Sequence, residues 1–350
     1  MNLKPLSYLK KFATALPLLC LIAIGNNSCT TDFEVNAGWK EIGIAYMLLD
    51  KNDSVQYLKL NKAYLNTDAD ANEIAMFEDS IYFDDADMDI QLIAGVDPVK
   101  LYRVRLEDGK DDGVFANPGQ YVYRTPPGYE IIESRPYKLQ IENTRTGYMM
   151  TSEVRIVKDG TINSPNPNRG NVSFAGCNHE NGLEFYVDRE MELISGKASK
   201  FFDFDIVFNY AEVNRKTFDT TFHELSWPIS KGLKSTTNSG GAKVEAWVRG
   251  DEFFDFIALR LDELESADMV RLPGKVEFRF HAGGQELYDY INVNTPSIGI
   301  VQKKPEYTNL ENGYGIFSSR TSQTVSISLD RCTRIQLSQG EKTGHLGFVR

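Results

Sequence analysis

The sequence predicts a mainly β protein made of two antiparallel, β-sandwich-like domains, the first immunoglobulin-like and the second with one or two inserted short helices. Two observations support this prediction. Short segments in which apolar and polar residues alternate recur along the chain, separated by Gly, Pro, Asn and Asp residues. Apolar residues change to a helical spacing at 251–265, and a second short helix is predicted at 285–291. A chain of 350 residues is long enough for each domain to bury its own core.

The N-terminal residues have the pattern of an export signal. A head with three lysines precedes an apolar run at 12–24, which is short for a bilayer span. A small residue, Ser28, stands directly before Cys29, and this arrangement resembles the lipobox of a bacterial lipoprotein. The resemblance implies that Cys29 is lipidated and begins the mature chain, so that 1–28 is the signal peptide and 29–40 is a tether. An ordinary cleaved signal peptide, with Cys29 incidental, is the alternative.

Residues 41–158 are predicted to form the immunoglobulin-like sandwich. Seven short strand-like segments lie close together with turn residues between them, which is typical of this architecture. The clearest is 137–142, where Tyr137, Leu139 and Ile141 alternate with polar residues. The seven predicted strands are 42–49, 55–60, 88–93, 99–106, 121–124, 137–142 and 148–157.

A stretch rich in Pro, Gly and Asn, at 159–171, is predicted to link the two domains, because such residues continue neither a ladder nor a helix. The second domain, 172–350, is predicted to be β-rich with short helices. The segment 305–320 is predicted to be a structured loop in which Gly313 and Gly315 allow a tight turn with positive φ. The predicted strands are 183–187, 202–210, 217–227, 242–248, 276–280, 316–318, 325–329 and 346–349.

The chain is acidic. Its formal net charge is −11, and without the three lysines of the signal head it is −14 (−11 − 3). An acidic surface repels phosphate backbones, so nucleic acid is excluded as a partner class. The same charge gives no electrostatic attraction to an anionic membrane surface, so attachment to a membrane is expected through the lipid on Cys29.

Cysteine is sparse. Two of the four cysteines, Cys20 and Cys29, lie in the signal peptide or directly after it, which leaves Cys177 and Cys332 for the folded part. An exported, oxidising location permits these two to form a disulfide. Cysteine is also a common small core residue, so a pair of buried free thiols is the other interpretation.

The sequence contains no motif that indicates catalysis, and it predicts no cofactor, no metal site and no enzyme. Two His-Glu pairs, at 179–180 and 223–224, begin like a zinc-protease helix, but a second histidine does not follow at the required spacing. The segment 68–79 begins like an EF-hand loop and lacks the glycine at the sixth position. Calcium binding at this segment or at the acidic cluster 84–89 has a solvated acidic loop as its alternative.

Aromatic residues are the candidates for ligand contact. Tyr121, Tyr123 and Tyr129 lie near two consecutive prolines, and Trp227 lies just before a loop rich in Gly, Ser and Thr. Exposed rings at these places would form a platform for a glycan or a peptide ligand. Alternating aromatics in strands also form cores, and this interpretation stays open beside the first.

Several segments resemble an uncharacterised family of Bacteroidota lipoproteins with a β-sandwich ectodomain. They are Cys29, the opening segment 39–49, the strand 137–141 and the sequence 307–320, which is the most specific. The resemblance implies a location at the outer membrane, facing the periplasm or the surface. It also implies a non-catalytic binding or accessory role, with members encoded beside TonB-dependent outer-membrane transporters.

Two other functions remain open. Fimbrillins are also lipoprotein precursors with two β-sandwich domains, so a structural or adhesive subunit is the main alternative. Such a subunit needs a proteolytic site near the start of the ectodomain, which Lys40 offers. A hydrolase with scattered catalytic residues is the third hypothesis. The mature N-terminus distinguishes the lipoprotein from the fimbrillin-like subunit. In the first case it keeps a lipid on Cys29, and in the second the chain is trimmed near Lys40.

Overall fold

A computed structural model of the chain describes residues 41–63, 76–106, 120–177, 183–295 and 306–350. The predicted mainly β, sandwich-like fold with a few short helices is confirmed. The predicted signal peptide, the tether and Cys29 lie outside the described residues, as do His179 and the EF-hand-like stretch between 68 and 75.

The first half of the folded chain consists of short strands, as the alternation predicts. The strand predicted at 99–106 is two strands, and they belong to different sheets. Leu101 separates them, and its buried backbone N–H donates to the Ile90 carbonyl at 2.9 Å while the chain crosses from one sheet to the other. The elements are β1 (Gly43–Asp50), β2 (Tyr57–Lys62), the helix α1 (Glu78–Ile81), β3 (Met88–Ala94), β4 (Asp97–Lys100), β5 (Tyr102–Leu106), β6 (Gln120–Arg124), β7 (Pro136–Asn143) and β8 (Tyr148–Arg155).

The second half alternates long strands with short helices. The strands are β9 (Thr161–Ser164), β10 (Asn171–Val172), β11 (Ala175–Cys177), β12 (Leu183–Tyr186), β13 (Arg189–Ile194), β14 (Phe201–Asn214), β15 (Thr220–Lys234), β16 (Lys243–Val248), β17 (Met269–Gly283) and β18 (Gly313–Leu329). The helices are α2 (Gly250–Arg260), α3 (Gln285–Asn294) and α4 (Arg331–Gln339). Helices α2 and α3 lie where the sequence predicts the two short helices, whereas α1 and α4 were not predicted at their positions.

One large mixed sheet contains strands from both halves. Its order within the described residues is β15-β14-β17-β18-β1-β2-β6-β5, and β10 also pairs with β18. Strand β1 runs parallel to β18, in a register that places Gly43 opposite Gly313 and Asp50 opposite Arg320. The smaller sheets have the orders β4-β3-β7-β8, β16-β13-β9 and β11-β12.

The first core lies between the large sheet and the sheet β4-β3-β7-β8. Alternate residues of β1 and β2 point inward, and they meet alternate residues of β3 and β7. Two residues from the far end of the sequence, Leu310 and Phe317, complete this core. Its most deeply buried side chains include Ala45, Leu49, Leu58, Leu92, Tyr137, Leu139 and Met150.

The second core lies between the large sheet and a layer made of the sheet β16-β13-β9 with helices α2 and α4. One face of β14, in the part predicted as a strand at 202–210, supplies five aromatic or aliphatic residues at alternate positions. From the helix side, Phe253 stacks on Phe174 at 4.0 Å between ring centroids and packs edge-on against Phe208 at 5.8 Å. Burial of each such ring stabilises the fold by about 2–3 kcal/mol.

A polar stretch of β18 separates the two cores. On one face of this strand, Phe317 belongs to the first core, and Val325, Ile327 and Leu329 belong to the second. Between them lie Ser319, Thr321 and Gln323, which hydrogen-bond the passing segment 155–160. Ser319 Oγ accepts from Val157 N–H at 2.9 Å and donates to the Arg155 carbonyl at 2.8 Å, and Gln323 makes two bonds to the backbone of Gly160. We call Ser319, Thr321 and Gln323 the polar seam.

The structure corrects the predicted division at 159–171 into two separate domains. The large sheet runs across this boundary, and Glu41–Arg350 forms one compact unit. The expected linker itself contains β9 and β10, because its prolines and glycines lie between paired residues rather than within them. The change from the first core to the second does fall at Ile156 and Val157, close to the predicted boundary.

Two predictions in the C-terminal part are also corrected. Residues 313–320, expected in a loop except for the short strand predicted at 316–318, all belong to the start of β18, because the parallel partner β1 satisfies their backbone groups. The positive φ predicted for the glycines is found at Gly315, with a value of 107°. The strand expected at 346–349 is a 3-10 turn at Gly344–Leu346 followed by one bridge between Phe348 and Arg271.

Candidate binding clefts

A cleft of about 460 Å³ opens beside the stretch that the sequence assigns to a linker. The loop between β9 and β10 forms one wall, the start of β13 forms the other, and the buried side chains of Val172 and Ile327 lie at the floor. We call it the arginine cleft, and its lining includes Asn166, Arg169, Asn171, Val172, Arg189 and Ile327.

Two guanidinium groups line this cleft. Arg169 is exposed on the loop, and Arg189 is half-buried at the start of β13, where its Nε donates to the Ser173 carbonyl. Neither forms an ion pair with any residue that the structure describes. Burial lowers the pKa of Arg189 below its ordinary value; Asp330 opposes this change, and the like charge of Arg169 adds to it.

The carboxylates nearest to Arg189 have other partners. Asp330 Oδ1 accepts from Thr333 N–H at 2.9 Å and caps helix α4, and Asp188 Oδ1 accepts from Gly250 N–H at 3.0 Å at the start of α2. Glu190, which also lines the cleft, has its Oε1 3.4 Å from Lys243 Nζ. These acids stabilise helix ends and a neighbouring lysine. Among the residues that line the cleft, two guanidinium groups face one carboxylate, that of Glu190.

A larger cleft of about 930 Å³ lies where the two halves of the chain meet. We call it the junction cleft, and its lining includes Glu133, Arg155, Lys158, Lys197, Asn238 and Glu286. Its charges are mixed, and several are already paired. Lys51 Nζ lies 2.5 Å from Glu133 and 2.7 Å from Asp159, while Glu286 accepts from Ser318 Oγ at 3.2 Å. This lining gives no preference for one sign of ligand charge.

The aromatic residues predicted to bind a ligand do not form one exposed platform. Tyr123 is buried in the first core, and Tyr129 packs against the same core. Tyr121 packs edge-on against Tyr82 at 5.3 Å and lies 4.0 Å from the Arg103 guanidinium. Trp227 belongs to the other core, where it stacks on Phe256 at 5.1 Å. The alternative considered from the sequence, that such aromatics form cores, describes Tyr123, Tyr129 and Trp227.

An exposed tryptophan that the sequence analysis did not single out lies on the opposite side of the second core. Trp247 is 60% exposed and stands across the ladder from Glu190. Beside it, Lys243 Nζ lies 3.0 Å from Glu192 and 2.5 Å from Glu245. Three glutamates here have the spacing of a metal site, but the lysine ammonium is already among them. We therefore interpret the group as a cross-strand ion-pair network.

The acidic cluster 84–89 uses its carboxylates locally. Asp84 Oδ1 caps a 3-10 turn by accepting from Ala86 N–H at 3.1 Å. Asp87 pairs with Arg145 at 2.6 Å, and Asp89 with Lys100 at 3.2 Å. Within the described residues these groups do not form a set with metal-ligand spacing. The described contacts of this cluster are therefore a turn cap and two ion pairs, and Asp89 lies within β3 rather than in a loop.

Cys177 and Cys332 form a disulfide, one of the two outcomes that the sequence left open. It joins the end of β11 to the start of α4 across 155 residues of sequence. Helix α4 belongs to the layer that covers the second core, and β11 contributes Ala175 to the same core, so the disulfide ties β11 to that layer.

One histidine lies in a Ser-His-Asp arrangement on the outer face of the large sheet. His281 Nδ1 is 2.8 Å from Ser322 Oγ, and His281 Nε2 is 3.3 Å from Asp205. In serine hydrolases the serine bonds Nε2 and the carboxylate bonds Nδ1, the reverse of this order. The three residues lie on adjacent strands of an open sheet face and line neither cleft described above. We interpret them as a cross-strand polar ladder.

The other described histidines contribute no convergent site. His223 stacks on Tyr210 at 5.1 Å and lies 3.7 Å from Glu212, whose other carboxylate oxygen accepts two bonds from the buried Arg271. His345 is exposed. Among the helices of the described residues, none has the length and apolar character needed to span a bilayer.

Comparisons with known proteins give no family. No protein-family model matches the chain, and no curated protein matches it. Among solved structures, the C-terminal globular domain of an oligosaccharyltransferase from Pyrococcus abyssi is 11% identical, covering 66% of this chain and 45% of that one, with a TM-score of 0.22. A cytokine receptor complex is 9% identical, covering 81% of this chain and 95% of that one, with a TM-score of 0.21. TM-scores this low do not indicate a shared fold or a shared function.

Proposed function

We propose that the protein is an outer-membrane lipoprotein, anchored by lipid on Cys29, whose folded part has a non-catalytic binding or accessory role. The anchor rests on the sequence alone, from the lysine-rich head, the apolar run and Ser28 before Cys29. The resemblance to Bacteroidota lipoproteins supports a place beside a TonB-dependent transporter.

The binding role is carried by one observation, the arginine cleft. Its two guanidinium groups form no ion pair with a described residue, on a chain whose net charge is −11. The cleft is concave and lined mainly by polar residues, with Val172 and Ile327 among its few apolar ones, and convergent polar groups are what fix the orientation of a small ligand. Guanidinium and amide groups bind and orient a ligand, and so we assign binding rather than catalysis to this cleft.

Fractionation of cell envelopes tests the anchor. Wild-type protein should sediment with outer membranes, and mass spectrometry of its N-terminal peptide should show acyl chains on Cys29. Cys29→Ala should appear in the soluble fraction, whereas Cys20→Ala, the matched control in the apolar run, should remain in the membrane. Membrane retention of Cys29→Ala would exclude the proposed anchor.

The same N-terminal peptide distinguishes the proposed lipoprotein from the alternative function, a structural subunit. A fimbrillin-like structural subunit would lose the lipid and begin near Lys40, whereas a lipoprotein keeps Cys29 as its first residue. Recovery of mature protein that begins after Lys40 would therefore favour the structural role.

A further inference from the structure

We infer that the arginine cleft is a binding site for a small ligand that carries an oxyanion, such as a carboxylate, sulfate or phosphate group. This inference rests on the proposed binding role and names its ligand chemistry. Both arginine side chains line the same cleft, and the described acids nearest to Arg189 already have other partners. A bound anion would give these guanidinium groups a direct ion pair, which neither forms with a described residue.

The donor geometry suits an oxyanion. A guanidinium presents several N–H groups in a planar fork that matches two oxygens of a carboxylate, sulfate or phosphate. Arg189 uses Nε to bond the Ser173 carbonyl, which fixes the side chain and leaves its terminal nitrogens for a ligand. Arg169 has no bond from its side chain to a described residue. One anchored fork and one adjustable fork can therefore close on the same anion.

The rest of the cleft suits a polar ligand body. The side-chain amide of Asn171 and the Nδ2 group of Asn166 bond no described residue, so both can bond hydroxyl groups of a ligand. Asn166 Oδ1 accepts from Asn168 N–H at 2.9 Å, which holds the loop in place. Val172 and Ile327 offer an apolar floor, and about 460 Å³ accommodates a ligand of monosaccharide or disaccharide size.

The cationic character of the cleft is local. The whole chain carries a net charge of −11, so its long-range electrostatic field repels an anionic ligand. Binding has to come from short-range, charge-assisted hydrogen bonds. Removal of one guanidinium should then raise the dissociation constant by about tenfold or more.

Calorimetric titration of the full-length protein in detergent tests this inference. The probes are glucuronate, glucose 6-sulfate and glucose 6-phosphate, which share a sugar ring and differ in the oxyanion, with glucose as the neutral control. We expect at least one charged probe to bind about tenfold more tightly than glucose. The probe that binds most tightly identifies the oxyanion. Equal binding of all four probes, or no binding of the charged ones, would overturn the inference.

Two variants with the same change of charge locate the site. Arg169→Gln lies in the cleft, and Arg215→Gln, an exposed arginine in the turn after β14, lies outside it. Both should keep the wild-type melting temperature. Arg169→Gln should raise the dissociation constant of the charged probe by about tenfold, and Arg215→Gln should leave that constant unchanged. Equal affinity of the two variants would overturn the inference. The result is independent of the anchor, because failure of the Cys29→Ala test would leave probe binding intact.

Discussion

The first core lies between two sheets, whereas the second core lies between a sheet and a layer of strands, helices and the Cys177–Cys332 disulfide. Two residues from far along the chain, Leu310 and Phe317, complete the first core. The first half of the sequence therefore does not contain its whole core. Strand β18 contributes to both cores, so we expect loss of either core to disturb the other.

Gly315→Ala should have the largest effect on this arrangement. Gly315 has φ of 107°, and a Cβ there would lie 2.0 Å from the Ala45 carbonyl oxygen on β1. The change would push β1 and β18 apart and should cost about 4 kcal/mol or more of unfolding free energy. Gly128→Ala is the control, since Gly128 also has a positive φ but nothing lies within 4 Å of its Cβ position. Its cost should be about 1 kcal/mol by urea denaturation.

Equal losses in these two glycine variants would show that the backbone conformation matters and the close approach of β1 does not. The interpretation that the pairing of β1 with β18 couples the two cores would then be wrong.

Removal of the disulfide should have the next largest effect. The double variant Cys177→Ser, Cys332→Ser opens a link across 155 residues of sequence, and should cost about 2–4 kcal/mol. Thermal unfolding followed by tryptophan fluorescence measures the loss, because Trp227 and Trp247 both lie in the second half. Reductant should lower the melting temperature of wild-type protein and leave that of the double variant unchanged. An unchanged melting temperature in the double variant would contradict a role in stability.

The polar seam gives a smaller effect. Ser319→Ala removes the partner of both the Val157 N–H and the Arg155 carbonyl at a fully buried position, and should cost about 1–3 kcal/mol. Ser326→Ala lies on the exposed face of the same strand and should change stability by less than about 0.5 kcal/mol. Both are measured by urea denaturation. A Ser319→Ala variant as stable as Ser326→Ala would mean that the seam does not hold the segment 155–160.

The Ser-His-Asp ladder should give the smallest effect. His281→Ala removes polar contacts on an open sheet face and should change stability by about 0.5 kcal/mol or less. A fluorophosphonate should not label Ser322, as mass spectrometry of the intact protein can show. Labelling of Ser322 that disappears in His281→Ala would instead identify a serine hydrolase, and the non-catalytic proposal would fail.

Alternation of apolar and polar residues was sufficient to predict most strands, because side chains in a strand point to opposite faces at each step. Strand β7 and the core face of β14 follow this pattern closely. The pairing of β1 with β18 could not be predicted in this way, since nothing local in 43–50 specifies a partner about 270 residues away. The prediction of two domains failed for the same reason, although the change of core near 156 was close to the expected boundary.

The arginine cleft was also beyond sequence reasoning. Arg169 lies in a stretch whose Pro and Asn content indicates a linker, and Arg189 lies at the start of a strand that was not predicted. Their common cleft depends on β9 and β10 pairing with distant strands. Aromatic residues, by contrast, were visible in the sequence, but their place in a core or on a surface stayed open, because alternation alone does not tell which face of a strand is covered.

Native-state hydrogen exchange, compared between β7 of the first core and β14 of the second, tests most directly whether the protein unfolds as one unit. If β18 couples the two cores, the slowest amides of both strands should report opening free energies within about 1 kcal/mol of each other. Ser319→Ala should lower both by the same amount. Values that differ by several kcal/mol, with Ser319→Ala affecting neither strand or only one, would show two independently unfolding domains and contradict the coupling.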